Sequence, residues 1–226
     1  MLEIIGMTVE DAKAIEACGA DRVELVSALT EGGVTPSFGL IESVVKSVDI
    51  PVNVMIRHHA NSFVYSENDI QIMRKDIEIV KSLGANGIVL GTLNNSNIIS
   101  QEHLSSLLEV SGDLDVTFHK AVDETNLLDS IAVLNKYNKI TNILTSGGHG
   151  NIANNLDVIN QMVDNAKDIN ILLGGGLSFD NIGYIMENTK ASDFHFGTAV
   201  RVDKNPFGKI DEEKLKSLVK IIKNRA

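Results

Sequence analysis

Ionisable side chains cluster directly after the short apolar runs of this chain. Arg57 follows VNVMI, His119 follows DVTF, and His195 lies within SDFHF. The other members of the set are His58, His59, Lys120 and His149, so that five of the six histidines stand at such positions. Imidazole transfers protons near neutral pH and guanidinium binds anions. The set therefore predicts acid–base chemistry on a charged small molecule, or binding of one.

Side-chain parity indicates which of these groups can meet. Side chains alternate between the two faces of a strand, and one face of each run is apolar, as a covering helix requires. The opposite face carries Glu3, Glu24, Asn53, Met55, Arg57, Thr117, His119, Asp193 and His195. If the reaction is enzymatic, we expect His119 to be a general acid or base, Glu24 its partner or a second proton carrier, and Arg57 a clamp for negative charge.

Two glycine-rich loops predict an anion site. Glycine allows the main chain to approach a ligand closely, and converging N–H groups bind phosphate. The predicted phosphate-binding residues are Gly174, Gly175, Gly176, Gly197 and Thr198, with Ser146, Gly147 and Gly148 next to them. The alternative is that the triple glycine forms only a tight turn between a strand and a helix.

A metal site has a weaker sequence signal. Cu(I) prefers thiolate, thioether and imidazole ligands, and the chain contains no C-x-x-C, M-x-x-M or H-E-x-x-H motif. The candidate ligands are Met55, His119 and His195, with His58 as a further possibility.

The elements that must position these groups alternate regularly. Eight β-like runs are separated by stretches with helical periodicity; the runs are 2–5, 22–26, 52–56, 87–90, 115–118, 142–145, 170–173 and 192–196. Strict β-then-α order predicts parallel strands, and eight units close into a (β/α)8 TIM barrel whose site lies in the loops after the strands. An open doubly wound sheet is the alternative, but no G-x-G-x-x-G follows the first run. We expect residues 1–226 to form a single domain.

Composition excludes several classes of function. The net charge is −10, and basic residues do not cluster with aromatic ones, so nucleic-acid binding is not expected. No apolar run approaches the roughly 18 residues of a membrane span, and the start lacks the features of a secretory signal. A single cysteine, Cys18, agrees with a reducing compartment. We expect a cytoplasmic protein that binds neither membranes nor nucleic acids.

Six motifs occur in this order along nearly the whole chain: GADRVEL (19–25), EGGVTPSFGLI (31–41), VNVMIR (52–57), TFHKAVDE (117–124), ILTSGG (143–148) and GGGLSFDNI (174–182). In order and spacing they resemble the motifs of the CutC family, whose members are described as copper homeostasis proteins. The resemblance implies a cytoplasmic, self-associating TIM barrel that binds or handles copper, and therefore copper as the cofactor.

Some positions depart from the family pattern. Val26 replaces a frequent Cys, His58 and His59 replace Pro-Arg, Lys120 replaces Arg, and Ser62 replaces a common Asp. Glu24, Arg57, His119 and the glycine loops are retained, so the departures weaken copper coordination more than an anion site. Two hypotheses remain: a copper-binding homo-oligomer, and a barrel enzyme for a small anionic, phosphorylated metabolite.

Overall fold

Eight parallel strands form a closed barrel in the computed structural model, which describes residues 1–224. Neighbours in the sheet follow chain order, and β8 closes the barrel against β1. The strands are β1 Leu2–Gly6, β2 Arg22–Leu25, β3 Val52–Met55, β4 Gly87–Leu90, β5 Asp115–Phe118, β6 Ile140–Thr145, β7 Asn170–Leu173 and β8 Asp193–Phe196. The predicted TIM barrel is confirmed. The open-sheet alternative is excluded because β8 pairs with β1 as well as with β7.

Eight α-helices cover the described part of the barrel. They are α1 Val9–Ala17, α2 Phe38–Val45, α3 Glu67–Ser82, α4 Gln101–Ser111, α5 Leu127–Leu134, α6 Leu156–Asn165, α7 Ile182–Asn188 and α8 Glu212–Lys223. The predicted domain ended at residue 226, and Arg225 and Ala226 lie outside the described residues.

Helix α3 illustrates how local sequence sets the outer layer. The Ser66 hydroxyl accepts from the N–H of Asp69, and the Asp69 carboxylate accepts from the N–H of Ser66, which is a capping box. One stripe of the helix is buried: Ile70, Met73, Ile77 and Val80. This stripe packs in the same core as the outward face of the sheet. The helix is therefore fixed by its cap and by one apolar face.

The two faces of the barrel strands differ as the parity argument predicts. The outward face is apolar and belongs to the main core; it includes Val52, Val54, Val116, Phe118, Phe194 and Phe196. The inward face carries polar residues that are almost completely buried; it includes Glu3, Glu24, Asn53, Thr117, His119 and His195. Burial of so many polar groups inside a barrel is unusual, because such interiors are mostly filled by branched aliphatic side chains.

Within residues 1–224, none of the helices has the length and apolarity that a membrane span requires.

Gly87 leaves the space that an inward amide needs. A Cβ atom at Gly87 would lie 2.5 Å from Oδ1 of Asn53 and 2.7 Å from the main-chain oxygen of Asp115. We expect Gly87→Ala to lower the free energy of unfolding by about 1–3 kcal/mol, because the side chain overpacks the barrel. Urea denaturation measures this change.

The matched control is Gly39→Ala in α2, where a Cβ would meet nothing within 4 Å. This change should raise the free energy of unfolding by up to about 1 kcal/mol, since alanine favours a helix. Equal stability of the two variants would contradict the packing argument.

Candidate functional site

A cavity of about 310 Å³ opens at the carboxyl ends of the strands. Ten residues that the sequence singled out line it: Glu24, Met55, Arg57, His119, Lys120, Gly175, Gly176, His195, Gly197 and Thr198. Ser146, Gly147, Gly148 and Gly174 do not line this cavity. Ser146 and Gly148 instead line a neighbouring cavity of about 480 Å³. The predicted groups therefore converge on one mouth, with the loop after β6 set to one side.

A buried chain of charged groups forms the floor of the cavity. Nδ1 of His195 lies 2.7 Å from Oε1 of Glu3, and Nε2 of His195 lies 3.7 Å from Oε2 of Glu24. Nε of Arg22 donates to Oε2 of Glu3 at 2.6 Å. Oε1 of Glu24 is buried and has no hydrogen-bond partner among residues 1–224. One imidazole thus lies between two carboxylates.

The pKa values in this chain reflect burial and charge together. Burial raises the pKa of Glu24 to about 7, although His195 opposes the shift. Burial acts to lower the pKa of His195, but the carboxylates of Glu24 and Glu3 outweigh it, so this pKa is raised. Burial also acts to raise the pKa of Glu3, but Arg22 and His195 bring it below its usual value. Glu24 therefore changes its protonation state near neutral pH beside an imidazole whose charged form it favours.

His119 is a neutral hydrogen-bond donor. Its Nδ1 accepts from the N–H of Ala121 at 3.1 Å, which leaves the proton of the neutral ring on Nε2. Burial and the neighbouring Arg57 lower the pKa of His119 to about 3. Nε2 has no partner among the described residues. The expectation that His119 is a general acid or base is therefore revised, because Nδ1 accepts from a main-chain N–H and the lowered pKa keeps the ring neutral.

Two residues that the sequence analysis missed orient this ring. The ring of Phe63 lies against His119, with the centroids 4.9 Å apart, and the guanidinium of Arg57 lies 4.9 Å from the same Phe63 ring. A Cβ at Gly91 would lie 2.5 Å from the ring of His119. Gly91 directly follows β4, and this position at a strand end is the only feature of the sequence that points to a role in the site.

Arg57 holds loops together and is not a free clamp. Its Nη1 donates to the main-chain oxygens of Glu31 and Gly33 at 2.7 and 3.0 Å, and its Nη2 donates to that of Ala60 at 3.3 Å. Only Nε lacks a partner among the described residues. The predicted role of Arg57 is therefore corrected to one of loop positioning, because carbonyl groups already accept from its terminal nitrogens.

Lys120 supplies the accessible positive charge at the mouth. Its ammonium donates to Asp123 at 2.5 Å and to Oγ of Ser146 at 2.6 Å. Its side chain is 41% exposed, and it lines both cavities. A Cβ at Gly175 would lie 2.7 Å from this ammonium. The φ of +86° at Gly175 favours glycine there, and the absence of a Cβ also lets the Lys120 ammonium lie close to this loop.

The loop after β6 offers no free amides at the predicted positions. The N–H groups of Ser146 and Gly148 donate to Asp123, each at 3.0 Å, and the N–H of Gly147 donates to Oγ1 of Thr145 at 2.8 Å. This corrects the expectation that these residues supply donors to a ligand. The carboxylate of Asp123 already occupies the position that a ligand anion would take.

The loop after β7 still offers some of the free N–H groups that the sequence predicts for anion binding. The N–H of Gly174 donates to the main-chain oxygen of Thr145 at 2.9 Å, and a Cβ at Gly174 would lie 2.9 Å from the ring of His195. Gly174 therefore makes room for the imidazole. Among the hydrogen bonds of residues 1–224, none uses the N–H groups of Gly175, Gly176 or Thr198. These three amides line the cavity and remain candidate anion donors.

The other histidines at strand exits do not reach the cavity. Nε2 of His58 and Nε2 of His59 lie 3.5 and 3.6 Å from the carboxylate of Asp69. His149 is 76% exposed and lies 3.4 Å from Glu124. Both rings turn toward the first turn of α3, so neither His58 nor His59 faces the centre of the barrel. His58 is therefore not a ligand in the barrel.

One group of side chains could hold a metal ion. The ligand atoms of Glu3, Glu24 and His195 lie within 4.8 Å of one another, and no other set of three His, Cys, Asp or Glu in residues 1–224 does so. Met55 lines the same cavity. The thiol of Cys18 lies elsewhere, 3.8 Å from the main-chain oxygen of Glu212.

Comparison with known proteins identifies relatives. The model of the CutC family matches residues 1–200. The human copper homeostasis protein cutC homolog is 38% identical over 198 residues, which cover 86% of this chain and 72% of the human protein. A CutC family protein of Mesorhizobium japonicum is 34% identical over 198 residues, covering 87% of this chain and 76% of that protein.

Solved structures give the same picture. A crystal structure of a CutC protein from Streptococcus agalactiae superposes with a TM-score of 0.82 and 32% identity, covering 87% of this chain and 97% of that chain. Phosphoribosylanthranilate isomerase from Thermotoga maritima gives a TM-score of 0.66 at 16% identity, covering 99% of this chain and 98% of that chain. The second likeness shows the fold alone.

The charged pair on the cavity floor predicts a measurable change in one variant. We expect Glu24→Gln to lower the pKa of His195, because the Glu24 carboxylate is one of the charges that raise it. In the unchanged protein, the pKa of His195 is raised above its unfolded-state value of 6.5, so protonation of His195 stabilises the fold. This stabilisation is complete below pH 6.5 and is lost as the pH rises through the folded-state pKa. NMR titration of the imidazole measures the shift in the variant.

The control for this titration is Glu67→Gln, since Glu67 contacts His103 on the outer surface and should leave His195 unaffected. A pKa of His195 that is the same in Glu24→Gln and in the unchanged protein would refute the coupling.

Proposed function

The chain belongs to the CutC family, and we propose that it serves copper homeostasis, the process named for its human and mouse relatives. The cavity at the barrel mouth carries this role, because the active sites of such barrels lie at the carboxyl ends of the strands. Its molecular function is to bind a small anionic ligand and to move a proton to or from it. The protein acts in the cytoplasm as a homo-oligomer, as the resemblance implies.

The single observation that supports proton transfer is the state of Glu24. This carboxyl group lines the cavity, its Oε1 has no partner within residues 1–224, and burial raises its pKa to about 7. A group with a pKa near the working pH is an efficient general acid or base. His195, whose Nε2 lies 3.7 Å from Oε2 of Glu24, stabilises the ionised form of this carboxyl group.

His119 complements this pair. A neutral Nε2–H donor can stabilise negative charge that develops on a ligand oxygen, and it does so without any proton transfer. Its low pKa, about 3, keeps the ring neutral throughout the physiological range. Arg57 and Phe63 hold the ring and the surrounding loops.

An anionic group fits the rim of the cavity. Lys120 supplies a partly exposed ammonium, and the unused N–H groups of Gly175, Gly176 and Thr198 line the same wall. Phosphate is bound in this way at the loops after strands 7 and 8 of many barrels. A small phosphorylated metabolite is therefore the ligand class that we propose.

Direct copper binding is the second candidate, favoured by the group of Glu3, Glu24 and His195. Carboxylate and imidazole donors suit Cu(II) better than Cu(I), which prefers sulfur ligands. Among the residues of 1–224 that line the cavity, Met55 alone offers a thioether. These side chains would hold the ion if it is bound here, but Arg22 already occupies one oxygen of Glu3.

Titration with inorganic phosphate tests anion binding. We expect Lys120→Met to weaken binding by about tenfold, the contribution of one charge-assisted hydrogen bond. Lys120→Met/Asp123→Asn is measured as well, since the single change leaves Asp123 without its cation. Lys136→Met, on the outer surface, is the control. Equal affinity for phosphate in all variants would exclude this anion site.

Glu24→Gln separates chemistry from binding within the same experiment. This variant should bind phosphate as the unchanged protein does. Exchange of solvent deuterium into phosphorylated sugars, followed by NMR, should fall at least about a hundredfold, since general acid–base catalysis contributes that much. Undiminished exchange in Glu24→Gln would remove Glu24 from the mechanism.

Copper affinity is measured against competing chelators for both oxidation states. If Glu3, Glu24 and His195 bind copper, we expect the affinity for Cu(II) to exceed the affinity for Cu(I), each measured against a chelator of that oxidation state. His195→Gln should then weaken Cu(II) binding at least about tenfold. Even the loss of a residue that only hydrogen-bonds to a metal ligand lowers metal affinity by about this factor. His103→Gln is the control, because His103 lies on α4. Unchanged Cu(II) affinity in His195→Gln would eliminate this site.

A further inference from the structure

The axis of the barrel contains a polar layer beneath the cavity. Strands in such barrels are tilted, so that residues at one level along the axis come from alternate strands. With this tilt, the strand registers place four inward residues of the odd-numbered strands at a common level: Glu3, Asn53, Thr117 and Leu172. Layers of this kind come from alternate strands and are usually aliphatic. Here three of the four side chains are polar, and Glu3, Asn53 and Thr117 each have no solvent-exposed surface.

Several polar atoms along this axis lack hydrogen-bond partners among residues 1–224. They are Oδ1 and Nδ2 of Asn53, Oγ1 of Thr117, Oε1 of Glu24 in the layer above, and Nη2 of Arg22 in the layer below. Buried polar groups in folded proteins are almost always satisfied by protein or by ordered water. A cluster of unsatisfied atoms in one interior therefore points to a common bound species.

The side chains are close in register and still do not bond to one another. Asn53 pairs with Glu24 on one side and with Gly87 on the other. Because Gly87 has no side chain, the amide oxygen of Asn53 occupies that space, as the 2.5 Å distance to a Cβ at Gly87 demonstrates. The Asn53 amide and Oε1 of Glu24 thus belong to paired residues of neighbouring strands, and no hydrogen bond joins them.

The chemistry of these unpartnered atoms decides which species can bind to them. A hard cation would be satisfied by oxygen atoms alone, whereas Nδ2 of Asn53 and Nη2 of Arg22 present N–H groups to the same interior. Water both donates and accepts, and it occupies polar interior sites with two to four partners. Water is therefore the species that fits both kinds of atom.

We propose that ordered water molecules in the barrel axis connect Asn53 and Thr117 to Oε1 of Glu24, which makes Asn53 and Thr117 positioning residues for the Glu24 carboxyl group. The water site itself stands on geometry alone. Only the inference that the Glu24 carboxyl group, once positioned in this way, transfers a proton rests on the proposed function. The water solvates the Glu24 carboxylate from below, while the ligand approaches it from the cavity above.

Thr117→Val tests the water site with a side chain of nearly the same shape. We expect the pKa of the Glu24 carboxyl group, measured by carbon-13 NMR, to rise in this variant, because the ionised form loses a hydrogen-bonding water. The urea midpoint should fall, since a satisfied hydroxyl has been removed. A raised midpoint with an unchanged Glu24 pKa would overturn the proposal, because it would mean a dry, unpaired hydroxyl.

Thr125→Val is the matched control. Its hydroxyl donates to the main-chain oxygen of Val122 and lies 2.6 Å from Oγ of Ser130, outside the barrel axis. It should lower the midpoint and leave the pKa of Glu24 unchanged. A shift of the Glu24 pKa in Thr125→Val equal to that in Thr117→Val would count against a local water.

A high-resolution crystal structure of the unchanged protein decides the matter if Thr117→Val fails to fold. Ordered water within hydrogen-bond distance of Thr117 and Glu24 supports the site, and direct protein partners for these atoms overturn it. Failure of phosphate binding alongside ordered water would refute the proposed function and leave the water site intact. The two proposals are thus separable.

Discussion

Closure of the barrel by β8 against β1 is the constraint on which the site depends. It pairs Glu3 with His195, which are 192 residues apart in the chain, and brings Glu24 to the other side of the same imidazole. The surrounding sheath of helices and apolar strand faces keeps water from screening these charges. Burial therefore raises the pKa of Glu24 although His195 opposes the shift, and the carboxylates of Glu24 and Glu3 raise the pKa of His195.

Most charged and amide groups around the mouth are satisfied by the protein itself. Asp123 accepts from Lys120, Ser146 and Gly148, and it thereby orders the loop after β6. Arg57 orders the loops after β2 and β3 in a similar way, because it donates to the main-chain oxygens of Glu31 and Ala60. What remains for a ligand is a small set of atoms: the exposed part of the Lys120 ammonium, a few amides, Nε2 of His119 and Oε1 of Glu24. A site with few free groups can bind selectively, because each ligand atom must match one of them.

The donor set also bears on the copper role of the family. Soft metal chemistry relies on sulfur, and this chain places Cys18 outside the barrel and only Met55 in the cavity. Carboxylates dominate instead, and one of them is held by Arg22. These residues suit the proposed small anionic ligand, and as metal donors they suit Cu(II) better than Cu(I). The two roles differ in whether Glu24 acts as a proton carrier or as a metal ligand.

Much of this protein was determined by its sequence: alternation of apolar and polar residues gave the strands, their order predicted the barrel, and parity placed Glu24, His119 and His195 inside. The tertiary structure alone decided the partners. It turned His58 and His59 toward Asp69, placed Asp123 on the amides of the β6 loop, and made Gly91 the space for His119. The physical reason is that periodicity is a local property, whereas a hydrogen-bond partner or an excluded Cβ depends on atoms that folding brings together from distant parts of the chain.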